Sequence, residues 1–134
     1  MRYLKLFAIT LPIGLVLDLI WIVGIAMPFY QAELGELLAK DVVWPAAIAF
    51  YVFYIIALMV FVLKPAIIAH SLKKAVLLGA FFGFTAYMTY DLTNLATTAG
   101  WSLTVAVVDM IWGTVFTAVL SGIAYLVATK WRKM

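Results

Sequence analysis

The sequence predicts an all-α fold, a four-helix transmembrane bundle that forms a single domain over residues 1–134. Hydrophobic residues make up 68% of the chain and charged residues 11%, against about 25% charged residues in an ordinary soluble domain. Four apolar stretches are each long enough to cross a hydrocarbon core of about 30 Å at about 1.5 Å per helical residue. We expect these helices at residues 6–27, 44–63, 75–97 and 102–128.

The first stretch predicts a retained transmembrane helix rather than a signal peptide. Its apolar run, Leu6 to Met27, is longer than the roughly 7–15 residues of a signal-peptide core. Pro28 has no backbone N–H to donate, so we expect the first helix to end there. The connection from Phe29 to Asp41 combines acidic residues with leucines at helical spacing, which predicts a short interfacial helix on the membrane surface. A lid over a site is the alternative for this connection.

The remaining helices carry local signals of their own. Pro45 suits the first turn of the second helix, where its missing N–H has no intrahelical partner to lose. Gly79 and Gly83 give the third helix a small-residue surface for close helix approach. The turn from Thr97 to Trp101 is short, so the third and fourth helices should be antiparallel neighbours.

The basic residues predict the orientation. In a four-span arrangement only Lys40 falls on one side of the membrane. The other eight fall on the opposite side, which the positive-inside rule places in the cytoplasm together with both termini. These are Arg2, Lys5, Lys64, Lys73, Lys74, Lys130, Arg132 and Lys133.

Composition also excludes several kinds of site. The chain has no cysteine, so disulfides, thiolate catalysis and cysteine-bound metal are absent. His70 is the only histidine and lies beside lysines, away from the buried acids, so we predict no metal site. The basic residues flank apolar segments and form no patch, which argues against nucleic acid as a partner.

Aspartates inside the apolar segments are the main functional signal. An ionisable residue at membrane depth costs about 2.5–3.5 kcal/mol on insertion scales, which makes it a candidate functional residue. Asp91 lies in the polar stretch YMTYDLTNLATT, from Tyr87 to Thr98. Asp18 and Asp109 each begin the pattern Asp-x-Ile-Trp, which ends at Trp21 and Trp112.

Helical spacing places these groups at one level, roughly 9–14 Å below the outer membrane surface at about 1.5 Å per residue. The same faces bring tyrosines, tryptophans and an asparagine to that level. Neither a catalytic residue nor a cofactor is assigned. The predicted ligand-binding residues are Asp18, Trp21, Tyr51, Tyr54, Tyr87, Tyr90, Asp91, Asn94, Asp109 and Trp112.

No lysine, arginine or histidine lies at that depth to neutralise the aspartates. Three arrangements are open: the carboxyls are protonated, they accept hydrogen bonds from the tyrosines, Asn94 and the indoles, or they hold a cation or a cationic ligand. In a purely structural alternative, the polar groups hold the helices together.

Three parts of the chain resemble a family of small predicted bacterial membrane proteins, a domain of unknown function. They are VLDLIWIVGIAMPFYQAELGELL, YDLTNLATTAGW and VDMIWG, and the block YDLTNLAT is the most specific. The resemblance implies a four-helix, multi-pass protein of the bacterial cytoplasmic (inner) membrane. It implies no activity.

Two functions therefore compete. In the first, the intramembrane site binds or moves a small solute, a cation or a proton, as buried carboxyls do in transporters. In the second, the protein is an enzyme or binder that acts on a lipid or isoprenoid, with an aspartate as general acid or base. Membrane lipid and a small-molecule or cation ligand are the expected partners, and the sequence leaves a homo-oligomer open.

Overall fold

The protein is described by a computed structural model that covers residues 2–34 and 44–133. The described residues contain helices and short turns, and no strand. Two five-residue π-helical segments, Ile22–Ala26 and Met59–Leu63, continue α1 into α2 and α3 into α4. The α-helices are α1 (Arg2–Trp21), α2 (Met27–Leu34), α3 (Trp44–Leu58), α4 (Lys64–Ala69), α5 (Leu72–Thr97) and α6 (Leu103–Lys133).

Four helical stretches are long and apolar enough to cross a membrane, which confirms the predicted four-helix transmembrane architecture. They are, as first to fourth span, Tyr3–Ala26, Trp44–Ala69, Leu72–Thr97 and Leu103–Lys130. Large apolar side chains project outward from them, with Val23 72% exposed and Phe53 and Phe81 each 69% exposed. Such a surface suits hydrocarbon as the surrounding solvent, since soluble proteins rarely expose large contiguous apolar patches.

The first helix does not end at Pro28, contrary to the sequence-based expectation. The π-helical segment Ile22–Ala26 comes directly before α2, which contains Pro28 and continues to Leu34. A proline inside a regular α-helix clashes with the carbonyl four residues earlier, here that of Gly24 in the middle of the π-helical segment. The wider π-helical turn, with its i to i+5 bonding, gives that carbonyl room. The expected interfacial helix overlaps α2 at residues 29–34, and its remainder lies outside the described residues.

The second span repeats this arrangement. The π-helical segment Met59–Leu63 lies immediately before α4, and Pro65 is the second residue of that helix. The carbonyl that the ring of Pro65 would meet belongs to Phe61, again in the middle of the π-helical segment. A left-handed His70 then closes α4, and the Ser71 hydroxyl accepts a hydrogen bond from the Lys74 N–H to cap α5.

The third and fourth spans form the most extensive helix contact, as the short turn between them predicted. Small residues make this contact possible. A side chain on Gly79 would meet Ser121 and the backbone of Thr117, and one on Gly83 would meet the backbone of Gly113. Close backbone approach through small residues is the usual way in which membrane helices associate.

The two ends of the bundle differ. We call the end with the α5–α6 turn, residues 98–102, the turn end. We call the opposite end, with Lys64 and the α4–α5 connection, the basic end. The apolar core lies towards the basic end and is built around α6, from residues that include Leu58, Val62, Leu63, Phe116, Leu120 and Ala124.

Candidate functional site

Asp91 and Asp109 lie at the same level of the α5–α6 contact. Gly79 faces Ser121, Gly83 faces Thr117 and Tyr87 faces Gly113, so each step of four residues along α5 matches four residues back along α6. One further step pairs Asp91 with Asp109. Asp91 is 0% exposed and Asp109 is 5% exposed. We call these two residues the carboxyl pair.

The carboxyl pair lacks polar partners. Among the described residues, neither carboxyl oxygen of Asp91 has a hydrogen-bond partner, and Oδ1 of Asp109 has none. Residues 75–129, which include both aspartates, contain no lysine, arginine or histidine. A buried polar group without a partner is rare and costs about 1–3 kcal/mol, or more when it is charged.

Trp101, in the turn between α5 and α6, lies beside Asp91. Its indole nitrogen is buried and has no hydrogen-bond partner in the described part of the chain. The Trp101 ring meets Tyr90 edge-on, with 5.5 Å between ring centroids and 88° between planes. Tyr90 itself is 54% exposed, so it supports Trp101 from the lipid side rather than contributing its hydroxyl to the carboxyl pair.

A hydrogen bond ties α2 to the beginning of α6 at the turn end. The Ser102 hydroxyl donates to Glu33 Oε2 over 2.9 Å and accepts a hydrogen bond from the Val105 N–H over 3.2 Å. Ser102 therefore caps α6, and the Glu33 carboxylate lies at a helix N-terminus, where negative charge is favoured. This contact adds an exposed acidic residue to the same end of the bundle as the carboxyl pair.

A second polar cluster surrounds Asp18. The Tyr51 hydroxyl donates to the Gly14 carbonyl over 3.0 Å and makes a longer contact of 3.4 Å with Asp18 Oδ2. The indole of Trp112 also lies beside Asp18. Trp112 in turn stacks on Trp21, with ring centroids 4.5 Å apart and planes 6° apart. The two tryptophans of the repeated Asp-x-Ile-Trp pattern therefore face each other.

Asp18 lies deeper in the bundle than the carboxyl pair. Trp21 is level with Trp112, and Gly14 is level with Leu120, so Asp18 is level with Val115 and Phe116 on α6. At about 1.5 Å per residue this is about 10 Å from Asp109 along α6. The three aspartates therefore lie at two levels of the bundle, whereas the sequence predicted one. The estimate was wrong because it counted depth from a helix end at Met27, and the helix continues past that residue.

Tyr87 lies between the two levels. A side chain on Gly113 would collide with the Tyr87 ring, so the glycine leaves the space that the ring fills. Gly113 is four residues from Asp109 and three from Phe116, which is level with Asp18, so Tyr87 lies between the two polar clusters. Tyr54 lies nearby and shares a buried hydrogen bond with the hydroxyl of Thr117.

Asn94 is not brought to the aspartates. Its side-chain amide donates to the Tyr90 carbonyl over 2.9 Å, and its Oδ1 accepts a hydrogen bond from Thr98 over 3.2 Å. Both polar groups of the Asn94 side chain thus form hydrogen bonds with residues of α5 or with Thr98, directly after it. The structure brings together the other predicted residues except the outward Tyr90, in two clusters: Asp91, Asp109 and Tyr87 near the turn end, and Asp18, Trp21, Tyr51, Tyr54 and Trp112 below them.

Trp101, Thr117 and Ser102 also belong to the site, although the predicted set did not include them. Thr117 lies eight residues after Asp109 on the same helix face, so the periodicity of α6 contained the signal. Trp101 and Ser102 lie in a turn, where no periodicity indicates direction. Within residues 2–34 and 44–133, no group of three or more His, Asp or Glu side chains is placed to hold a metal ion.

A groove on the lipid-facing side runs along α5 and α6. Its volume is about 340 Å³, and it is lined by Phe84, Val107, Met110, Ile111, Thr114 and Val115. The Thr114 hydroxyl donates to the Met110 carbonyl, so the groove has no free polar group from that side chain. The groove passes the residues that follow Asp109 in the sequence.

Comparison with known proteins gives a family but no characterised relative. No curated protein and no solved structure matches the chain. The predicted resemblance to a family of membrane proteins of unknown function is confirmed, because a family model matches residues 3–126, a range that contains every residue of both polar clusters. The chain is therefore a multi-pass membrane protein that belongs to the family described as "Predicted membrane protein (DUF2177)".

Proposed function

We propose that the protein binds a proton or another small cation at the carboxyl pair, and that this site serves to bind or move a small solute. The observation that supports the proposal most directly is the burial of Asp91 and Asp109 at one level, where both carboxyl oxygens of Asp91 and Oδ1 of Asp109 have no hydrogen-bond partner among the described residues. Two carboxyls buried at one level of a membrane helix pair cannot both remain charged unless a cation neutralises them.

A structural role for the pair has less support. Polar residues that hold membrane helices together do so by bonding across the interface, at about 0.6–2 kcal/mol per contact. Asn94, the amide best suited to bond with Asp91, is bonded within its own segment instead. The α5–α6 contact is already made by Gly79, Gly83 and Gly113, which need no carboxyl to bring the helices together.

Access to the carboxyl pair is expected from the turn end. Towards the basic end the bundle is filled by apolar side chains, among them Leu58, Phe116 and Leu120, with exposures of 0–2%. A polar path is therefore closed on that side in the observed conformation. Binding from one side is the simpler function, and movement of a solute through the protein needs this apolar core to open.

The lipid-directed alternative has one observation in its favour. The groove along α5 and α6 is apolar and is lined by Met110, the residue that follows Asp109 in the sequence. It could hold the tail of a lipid or isoprenoid, with Asp109 acting as general acid or base near the head group. Filling the groove by Ile111→Trp separates the two functions, because it should abolish lipid turnover and leave cation uptake unchanged.

The proposed site is tested by Asp91→Asn and Asp109→Asn, with Glu33→Gln as the control. Each asparagine keeps the shape of the side chain and removes its ability to ionise. We expect the thermal stability of the purified protein to stay the same or rise, since loss of a buried charge is often neutral or favourable. Proton or cation uptake, measured by calorimetric titration in detergent, should be lost in both variants and retained in Glu33→Gln. Full uptake in Asp91→Asn would defeat the proposal.

We also propose that the protein lies in the bacterial cytoplasmic membrane with both termini in the cytoplasm, which puts the turn end outside. Eight of the nine basic residues support this orientation. The chain has no cysteine, so a single cysteine introduced at Ala39 can be labelled without background. It should react with an impermeant reagent added from outside, and reaction only from the cytoplasmic side would reverse the orientation. Cross-linking in the same membranes tests whether a homo-oligomer forms.

A further inference from the structure

We propose that Asp18 is a second proton-binding site, deeper in the bundle, and that Tyr87 passes protons to it from the carboxyl pair. This inference rests on the proposed function and narrows it, because it identifies the bound cation as a proton. It follows from the positions of the two polar clusters, which are separated along α6 by about 10 Å at about 1.5 Å per residue. Tyr87 packs on Gly113, at a level between the two clusters.

The surroundings of Asp18 suit a group that gains and loses a proton. Tyr51 on α3 and the Trp112 indole on α6 offer it hydrogen-bond donors when it is charged. The titratable groups that face Asp18 from the neighbouring helices are Tyr51, Tyr54 and Tyr87, and all are neutral hydroxyls in their ordinary state. No cationic side chain of the spans lies beside it to hold it permanently ionised.

The position of Tyr87 suits a relay. Tyr87 and Asp91 are four residues apart on α5, which places their Cβ atoms about 5–6 Å apart on one helix face. The Tyr87 ring fills the space above Gly113, and this packing holds the ring in the α5–α6 contact. Gly113 lies on α6 between Asp109 and the level of Asp18, so the Tyr87 ring lies between the carboxyl pair and Asp18.

The transfer itself moves one proton and no electrons. The Tyr87 O–H bond breaks as its proton passes to a carboxylate oxygen of Asp18, and the Tyr87 oxygen takes up the proton of the Asp91 carboxyl group. Asp18 ends protonated, Asp91 ends ionised and Tyr87 is again neutral. The Asp91 carboxylate is then neutralised by a proton from the turn end, so no free charge remains in the apolar bundle.

A proton fits these residues better than a divalent metal ion. Divalent cations bound by proteins usually need six or more oxygen ligands, several of them carboxylates. The described chain offers no cluster of three acidic or histidine side chains. A chain of single carboxyl and hydroxyl groups at successive levels is instead the arrangement found in proton relays of membrane proteins.

The experiment follows protonation of Asp18 in the full chain, reconstituted in lipid nanodiscs, after a rapid drop in pH. Time-resolved infrared spectroscopy records the carboxyl bands, and Asp18→Asn, Asp91→Asn and Asp109→Asn assign them. In Tyr87→Phe we expect protonation of Asp18 to slow at least about tenfold, since positioned acid–base groups speed proton transfer by about 10²–10⁴-fold. Protonation of the carboxyl pair should keep its original rate.

Tyr90→Phe is the matched control, because Tyr90 also adjoins Asp91 but is exposed to lipid. It should leave the Asp18 rate unchanged. Phenylalanine keeps the ring that fills the space above Gly113, so a melting temperature close to that of the original protein confirms that only the hydroxyl was lost.

The outcomes separate the inference from the proposed function. If Asp18 protonates at the original rate in Tyr87→Phe while the carboxyl pair responds normally, the relay is wrong and the proposed function stands. If Asp18 never changes its band with pH, the second site is wrong. If the carboxyl pair shows no response in the original protein, the proposed function fails, and the relay fails with it.

Discussion

The two copies of Asp-x-Ile-Trp have the same pattern and opposite surroundings. Asp18 is half-buried, and the Tyr51 hydroxyl lies 3.4 Å from its Oδ2. Asp109 is almost completely buried, and its Oδ1 has no partner in the described part of the chain. The tryptophans of the two copies stack on each other, so the copies meet but are not equivalent.

The difference comes from the residue after each pattern. Ile22, which is half-buried, follows the first copy, and Gly113 follows the second. Gly113 lets α5 approach α6 and admits the Tyr87 ring, and this register places Asp91 at the level of Asp109. The short pattern therefore determines which polar group is present, whereas the neighbouring helix determines whether that group has a hydrogen-bond partner.

The largest expected effect comes from making the second copy resemble the first with Gly113→Ile. The isoleucine side chain would collide with Tyr87 and force α5 from α6. Overpacking of a tight contact costs about 1–3 kcal/mol, and this change should reach at least about 3 kcal/mol in unfolding experiments in detergent. Gly24→Ile is the control, since a Cβ at that position would have no atom of another helix within 4 Å. Equal stability of the two variants would show that the close α5–α6 contact does not exist.

A smaller effect is expected from Tyr51→Phe, which removes a donor from the first copy alone. The variant leaves the Gly14 carbonyl and the Asp18 carboxyl without the Tyr51 hydroxyl. A hydrogen bond of this kind contributes about 0.5–1.5 kcal/mol, so the free energy of unfolding should fall by about 1 kcal/mol. Tyr90→Phe should cause no measurable fall, because Tyr90 is 54% exposed. No fall in either variant would place Asp18 in the same unsatisfied state as Asp109.

The smallest effect is expected from Trp21→Phe. Aromatic stacking contributes about 0.5–1.5 kcal/mol beyond burial, and phenylalanine keeps part of it, so we expect a loss of about 0.5 kcal/mol. Trp112→Phe should cost more, because Trp112 also stacks with Phe116 and lies beside Asp18. A double-mutant cycle of the two changes isolates the stacking energy. If the two changes are additive, the stacked pair makes no contribution of its own.

The fold was predictable because each span is a long apolar run, and no other signal was needed. The faces of the aspartates were predictable from helical spacing as well. The depth of each aspartate in the bundle was not predictable. Two antiparallel helices with small residues every four positions can shift by one turn along each other and still pack. The partners of Asn94 could not be foreseen either, since an amide on a helix can bond to its own backbone as easily as across the interface.

The π-helical segments that precede Pro28 and Pro65 have a consequence for how the chain tolerates changes in length. A π-helical turn holds one residue more than an α-helical turn, and one residue corresponds to about 100° of rotation around the helix. Deleting one residue from Ile22–Ala26 would turn that segment into ordinary α-helix and leave each side chain beyond it on its original face. A deletion inside α5 would instead rotate Asp91 away from Asp109. We therefore expect the chain to tolerate loss of a residue in the π-helical segments before Pro28 and Pro65. We expect it not to tolerate a change in length within the helices that carry the carboxyl pair.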